Sequence, residues 1–159
     1  MHKVTIRRAQ REDVPKILEF IRALAAYEHL ENEVTADEKL LEEWLFDKNR
    51  AEVVFACTED GTEAGFALYF HNFSTFLGKA GIYLEDLFVK PEYRRRGYGK
   101  ALLSYLAKLT VERGCGRLEW SCLDWNQSAI DFYHAWGAVT MDDWTTFRMS
   151  GETLKRMAG

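Results

Sequence analysis

The chain is poor in the residues that break a fold or staple it. Its 159 residues include 2 prolines and 3 cysteines. With so few prolines, and with 47% apolar and 29% charged residues, the composition is that of an ordinary globular protein and argues against disorder. Cys57, Cys115 and Cys122 are odd in number and lack CxxC spacing, so neither a disulfide framework nor a zinc site is supported, and they read as core thiols. The histidines, His2, His29, His71 and His134, are scattered, and no metal is expected. No stretch approaches the roughly 18 apolar residues of a membrane span. The charged start, Met1 to Arg8, has no room for the apolar segment of a secretion signal. A cytoplasmic protein that enters no membrane is expected. An excess of positive charge is also missing. Lys and Arg number 21 against 25 Asp and Glu, a net charge of -4, which removes the cationic surface that nucleic-acid or anionic-membrane binding needs. There is no internal repeat, and the length fits one domain, 1–159.

What is present is an alternation of strand-like and helix-like patterns. Val4 to Arg8 reads as a strand; Arg11-Glu12-Asp13 then opens a helix with acids in its first turn and Pro15 where early helix tolerates it. Val14, Ile17, Leu18, Ile21, Leu24 and Ala25 follow helical spacing, and Glu28 is the next position on that buried stripe. An acid there must pair, reach solvent at the helix end, or line a cavity. A second helix is expected over 35–46, with Thr35 and Glu38 in capping-box form. The connector between the two helices, Glu28 to Glu33, is either a solvated loop or an acidic rim for a cation. Strands over 52–58 and 63–73 flank the hairpin signal Asp60-Gly61, and a third covers 82–89. A helix carrying Leu102, Leu103, Leu106 and Leu109 then runs to Gly114, followed by a strand over 117–123, a helix over 128–136 and an extended return over 138–149. The pattern predicts a mixed α/β sheet covered by helices.

The segment Arg94-Arg95-Arg96-Gly97-Tyr98-Gly99-Lys100, between the third strand and its helix, calls for a reason. Glycines at a helix start let a ligand approach the backbone, and the unpartnered N–H groups there suit phosphate. Arginines add charge-assisted bonds to the same oxygens, or form an ordinary solvated face. Two nucleotide loops are excluded: Gly99-Lys100 is followed by Ala101 rather than Ser or Thr, and a dinucleotide fingerprint would need glycine where Leu102 stands.

Arg-x-x-Gly-x-Gly after a strand and before a helix resembles the pyrophosphate loop of the GNAT family of acetyl-CoA-dependent N-acetyltransferases. Leu84-Glu85-Asp86-Leu87-Phe88-Val89 is similar to that family's central strand, and Trp125 to Tyr133, followed by Gly137-Ala138, to its C-terminal motif. Ala26-Tyr27-Glu28, Tyr83 to Asp86 and Asn126 to Tyr133 further resemble the diamine acetyltransferase group, the spermidine/spermine and thialysine enzymes. The stretch Ser74-Thr75-Phe76 departs from the polyamine enzymes, which carry an acidic residue and a tryptophan there.

The resemblance implies a mostly antiparallel central sheet flanked by helices on both faces, acetyl-CoA as donor and a small cationic amine as acceptor. It implies Glu85 as base, directly or through water, and Tyr133 as the acid that protonates the coenzyme A thiolate. Leu87, Phe88, Val89, Arg94, Arg95, Arg96, Gly97, Tyr98, Gly99, Lys100, Asn126 and Ser128 are the implied coenzyme contacts, with an oxyanion-binding amide near Phe88 or Val89. Tyr27, Glu28, Glu31, Glu33, Phe76 and Asp86, with Glu85, would hold the amine. The residues themselves leave alternatives: Glu85 as a salt-bridged strand carboxylate, Tyr133 as an aromatic on an apolar helix face, and Asn126 as an N-cap. At the level of the protein, the alternatives are a non-catalytic acyl-CoA-binding module and an acetyltransferase of protein amines. The aromatic C-terminal stretch, Trp136 and Trp144 to Phe147, suits either a homodimer interface or closure of the core.

Overall fold

A computed structural model describes residues 3–159; Met1 and His2, at the start of the charged N-terminal stretch, lie outside the described residues. The chain divides into two compact units, Met1–Ser121 and Cys122–Gly159.

The first unit is built on five strands in the order of the chain: β1 (Thr5–Arg8), β2 (Glu52–Cys57), β3 (Glu63–Ser74), β4 (Lys79–Val89) and β5 (Leu118–Trp120). The first three pairings are antiparallel and β4–β5 is parallel. Strand β2 lies inside the sheet and buries Val53 to Cys57 on both of its faces. Helix α1 (Val14–Tyr27) covers one face, where Ile17, Phe20 and Leu24 pack on Phe55, Phe66 and Phe88. The Phe20 ring stacks on Phe66 at 5.1 Å between centroids. Helix α3 (Tyr98–Glu112) covers the other face through Tyr98, Leu102 and Leu106 against Val54, Tyr69, Ile82 and Leu84. Between α1 and β2, helix α2 (Glu38–Glu42) continues into a π turn, Glu43–Asp47.

Two expectations change in detail within this unit. Helix α2 is capped by Asp37, whose carboxylate accepts the Leu40 N–H at 2.8 Å; Thr35 lies outside the helix. Aspartate three residues before a free N–H meets the same need as the expected Thr35–Glu38 box. The last strand is also shorter than 117–123, ending at Trp120.

The second unit carries α4 (Gln127–Ala135) and α5 (Gly151–Ala158), neither with a fully buried residue. The expected extended return over 138–149 forms no strand in the sheet. Its apolar residues face solvent instead, Val139 at 78%, Trp144 at 75% and Phe147 at 91%.

Candidate active site

A β-bulge fixes the geometry of the site. Leu68 on β3 is opposite Asp86, but its neighbour Tyr69 is opposite Leu84, so Glu85 is an extra residue on β4. Ahead of the bulge, Ile82 and Leu84 point into the α3 core; past it, Phe88 points into the α1 core. In a regular strand Asp86 would share the face of Leu84. The inserted residue places Asp86 on the α1 face with Phe88, and Glu85 stands exposed beside it. Glu28, at the C-cap of α1, is half-buried and close enough to interact with Asp86.

These acids are electrostatically coupled. Burial, reinforced by the charges of Glu85 and Glu28, pushes the Asp86 carboxyl up to about 7, far above an ordinary aspartate. Burial alone raises Glu28. A carboxyl poised near neutrality at a strand bulge suits either proton transfer or recognition of a cation.

Past Leu84, the outer edge of β4 is open: no strand among the described residues pairs it. Strand β5 accompanies β4 only from Ile82 to Leu84. On the opposite edge the Lys90 N–H donates to the Ala64 carbonyl at 2.9 Å. Alternation in an antiparallel ladder therefore turns the main chain of Asp86 and Phe88 toward β3, and that of Leu87 and Val89 toward the side that β5 has left. Of the two positions given for the expected oxyanion-binding amide, Val89 faces the open edge and Phe88 does not; Leu87, expected only as a coenzyme contact, joins Val89 there.

Next comes the arginine and glycine loop. Arg95 and Gly97 have left-handed φ values of 62° and 89°, and Gly97 is the N-cap of α3. Arg95, Arg96 and Lys100 project outward, whereas Tyr98 is 3% exposed and anchors the helix start in the core against the edge of Tyr93. Gly99 is helical, and a Cβ there would meet only Val89 Cγ2 at 3.9 Å. The chain's own packing thus gives no steric reason for glycine at 99. Bare backbone at the positive end of a 15-residue helix, flanked by cations, fits a diphosphate. Arg94 behaves differently from its two neighbours: its Nε donates to the Val89 carbonyl at 3.0 Å, and its guanidinium lies over the rings of Tyr27 and Phe88.

Other expected residues stand where the main chain leaves them. Glu31 and Glu33 lie exposed on a single 3₁₀ turn after α1. Phe76 is 96% exposed at the tip of the β3–β4 hairpin. It is separated from Asp86 by most of β4, on the order of 20 Å at ~3.3 Å per residue, so the chain does not bring it to its own acids. In the second unit, the Asn126 side chain caps α4, accepting from the Ala129 N–H and the Ser128 hydroxyl. Burial, with a further push from Cys122, raises the Tyr133 phenol to about 12. Among the described residues, no group of His, Cys, Asp or Glu is placed to hold a metal ion, and no helix is long and apolar enough to cross a membrane.

A family model for the acetyltransferase (GNAT) family matches residues 17–138. The chain belongs to the GNAT family. A thialysine N-epsilon-acetyltransferase of Sus scrofa is 36% identical over 170 residues, covering 100% of this chain and 99% of that protein. An L-ornithine N5-acetyltransferase of Arabidopsis thaliana is 46% identical over 96 residues, 60% of this chain and 42% of that one. Among solved structures, an integron cassette protein from V. cholerae superposes with a TM-score of 0.80 at 27% identity, covering 98% and 97% of the two chains. This GNAT chain is thus an N-acetyltransferase with a mixed, mostly antiparallel sheet between helical layers.

Proposed function

We propose that residues 1–159 form one acetyltransferase domain that uses acetyl-CoA to acetylate a primary amine of a small cationic metabolite, a polyamine or a lysine-like amino acid. The observation that carries this reading is the bulge at Glu85, which sets the Asp86 carboxyl within electrostatic reach of both Glu85 and Glu28 on the stretch of β4 that β5 does not pair. Relatives named for thialysine and ornithine support the acceptor class.

Acetyl-CoA supplies the acetyl group as a thioester. Its diphosphate is assigned to the backbone of Gly97 and Gly99, with Arg95, Arg96 and Lys100 around it. An alkylammonium is mostly protonated at neutral pH. Glu85, exposed on the bulge, is assigned as the base that takes its proton, directly or through water, while Asp86, Glu28 and Tyr27 orient the cation and Glu31 and Glu33 attract it. The amides of Leu87 and Val89 are the donors available to an oxyanion at the open edge. Tyr133 keeps from its sequence motif the role of proton donor to the thiolate, and a phenol raised to about 12 holds its proton at neutral pH. The exposed Val139, Trp144 and Phe147 support a homodimer, which sedimentation analysis would test.

Thiol release from acetyl-CoA, measured over a panel of polyamines, lysine-like amino acids and peptide amines, tests the reading. Turnover strongest on small dications or diamino acids is expected. Acetyl-CoA binding without turnover on any amine would mean a non-catalytic module, and preference for peptides would mean a protein acceptor.

A further inference from the structure

Three consecutive arginines fall into two environments. Arg95 and Arg96 are exposed, as phosphate-facing or solvated side chains are expected to be. Arg94 is half-buried. Its guanidinium carbon lies 4.5 Å from the centroid of the Tyr27 ring and 5.3 Å from that of Phe88, and those two rings are themselves 6.0 Å apart. Its Nε donates to the Val89 carbonyl at 3.0 Å. One side chain therefore holds three points: the last residue of α1, the aromatic just past the bulge, and the main chain at the end of β4. Arg95 follows with a left-handed φ of 62°, and it and Arg96 are exposed while Arg94 stays in.

We propose that Arg94 is a positioning residue that fixes the amine side of the site against the thioester side, rather than a ligand of the coenzyme's phosphates. The proposal rests on the acetyltransferase reading given above. Tyr27 is followed directly by Glu28, so a clamp on Tyr27 fixes the end of α1 that carries this acid. Val89 carries one of the two outward amides, so the bond to its carbonyl fixes the strand edge where a thioester carbonyl would be received. The guanidinium lies over two rings while its Nε–H donates to the Val89 carbonyl, so one planar group makes all three contacts at once. Lysine has no planar group that can do this. It does offer a positive charge of the same sign at about the same reach.

That difference makes the test decisive. Initial rates are measured for the wild type, Arg94→Lys and Arg94→Ala with two donors, acetyl-CoA and S-acetylpantetheine, which carries the thioester without the diphosphate. The expected result is a 10- to 100-fold fall in kcat/KM for the amine in both variants and with both donors, in line with a misplacement of about 1 Å. Acetyl-CoA affinity by calorimetry should change less than about threefold. Tyr27→Leu, which removes one ring, should reproduce the fall with both donors, and Tyr27→Phe, which keeps the ring, should recover most of it. A loss confined to acetyl-CoA, absent with S-acetylpantetheine and largely rescued by lysine, would overturn the proposal and make Arg94 a phosphate ligand. Full activity of both Arg94 variants would overturn it as well. Should Arg94→Ala fail to fold, Arg94→Lys and the Tyr27 pair decide between the same outcomes. A wild type that turns over no amine would instead refute the acetyltransferase reading itself.

Discussion

Both halves of β4 are strand, but they are used differently. From Lys79 to Leu84 the strand lies against β3, with β5 alongside from Ile82, and its inward residues Ile82 and Leu84 are 0% and 2% exposed. From Asp86 to Val89 it pairs with β3 alone, and among the described residues no strand pairs its other edge. One inserted residue separates the halves. The paired half contributes stability and the open half contributes chemistry, because a main chain satisfied on both edges has nothing left to offer a substrate.

The largest effects should come from removing that insertion. Deleting Glu85 restores simple alternation: Leu84 keeps the α3 face, Asp86 and Phe88 keep the α1 face, and the protein should fold with a near-native melting temperature. Its kcat should fall by about 10²- to 10⁴-fold, the usual worth of a positioned base. Glu85→Gln, which keeps the bulge, should lose rate to a similar extent while retaining acetyl-CoA affinity. If the deletion and the glutamine variant were both fully active, the bulge would be architecture only. The paired half makes the opposite prediction. Leu84→Ala should destabilise the protein by about 2–5 kcal/mol in denaturant unfolding, with kcat of the folded fraction almost unchanged.

Smaller, and of opposite sign in stability and activity, is the effect expected at Asp86. Its carboxyl is raised to about 7, so the folded state holds a proton that the unfolded chain releases near pH 4. Stability from this group is complete below pH 4 and is lost as pH rises through 7. Asp86→Asn should therefore leave stability unchanged at pH 4 and raise it at pH 8, on the order of 1–2 kcal/mol after allowing for partial exposure. The same variant should lose activity toward amines at both ends of that range. A stability difference that did not grow with pH would place Asp86 in an ordinary solvated setting.

Much of this division could be read from residue order, and the unread parts have physical reasons. Helical spacing located α1 and α3, and glycines 97 and 99 marked the loop, because left-handed dihedrals and bare backbone leave a compositional trace. The bulge leaves none: Leu84-Glu85-Asp86-Leu87 reads equally well with or without an inserted residue, since both acids tolerate the half-buried face. The inward turn of Arg94 was equally hidden among three identical side chains, because its partners, Tyr27, Phe88 and the Val89 carbonyl, come from other elements of the fold. The segment 138–149 has strand-like composition, but a strand also needs an edge to pair with, and composition does not say where that edge is.

The smallest effect separates two glycines that sequence treats alike. Gly97 has φ of 89°, where any Cβ is strained, so Gly97→Ala should destabilise by about 1–2 kcal/mol. Gly99 is inside the helix, and its added Cβ would make only an ordinary contact with Val89 Cγ2 at 3.9 Å. Helix propensity then favours alanine, and Gly99→Ala should be neutral or stabilising by up to about 1 kcal/mol. If backbone at this position receives a diphosphate, the same methyl group must weaken acetyl-CoA binding. A stabilised Gly99→Ala variant with a several-fold larger acetyl-CoA Kd would show that glycine is kept here for a ligand and not for the fold. An unchanged Kd would move the diphosphate away from the start of α3, and with it the purpose of leaving the edge of β4 open.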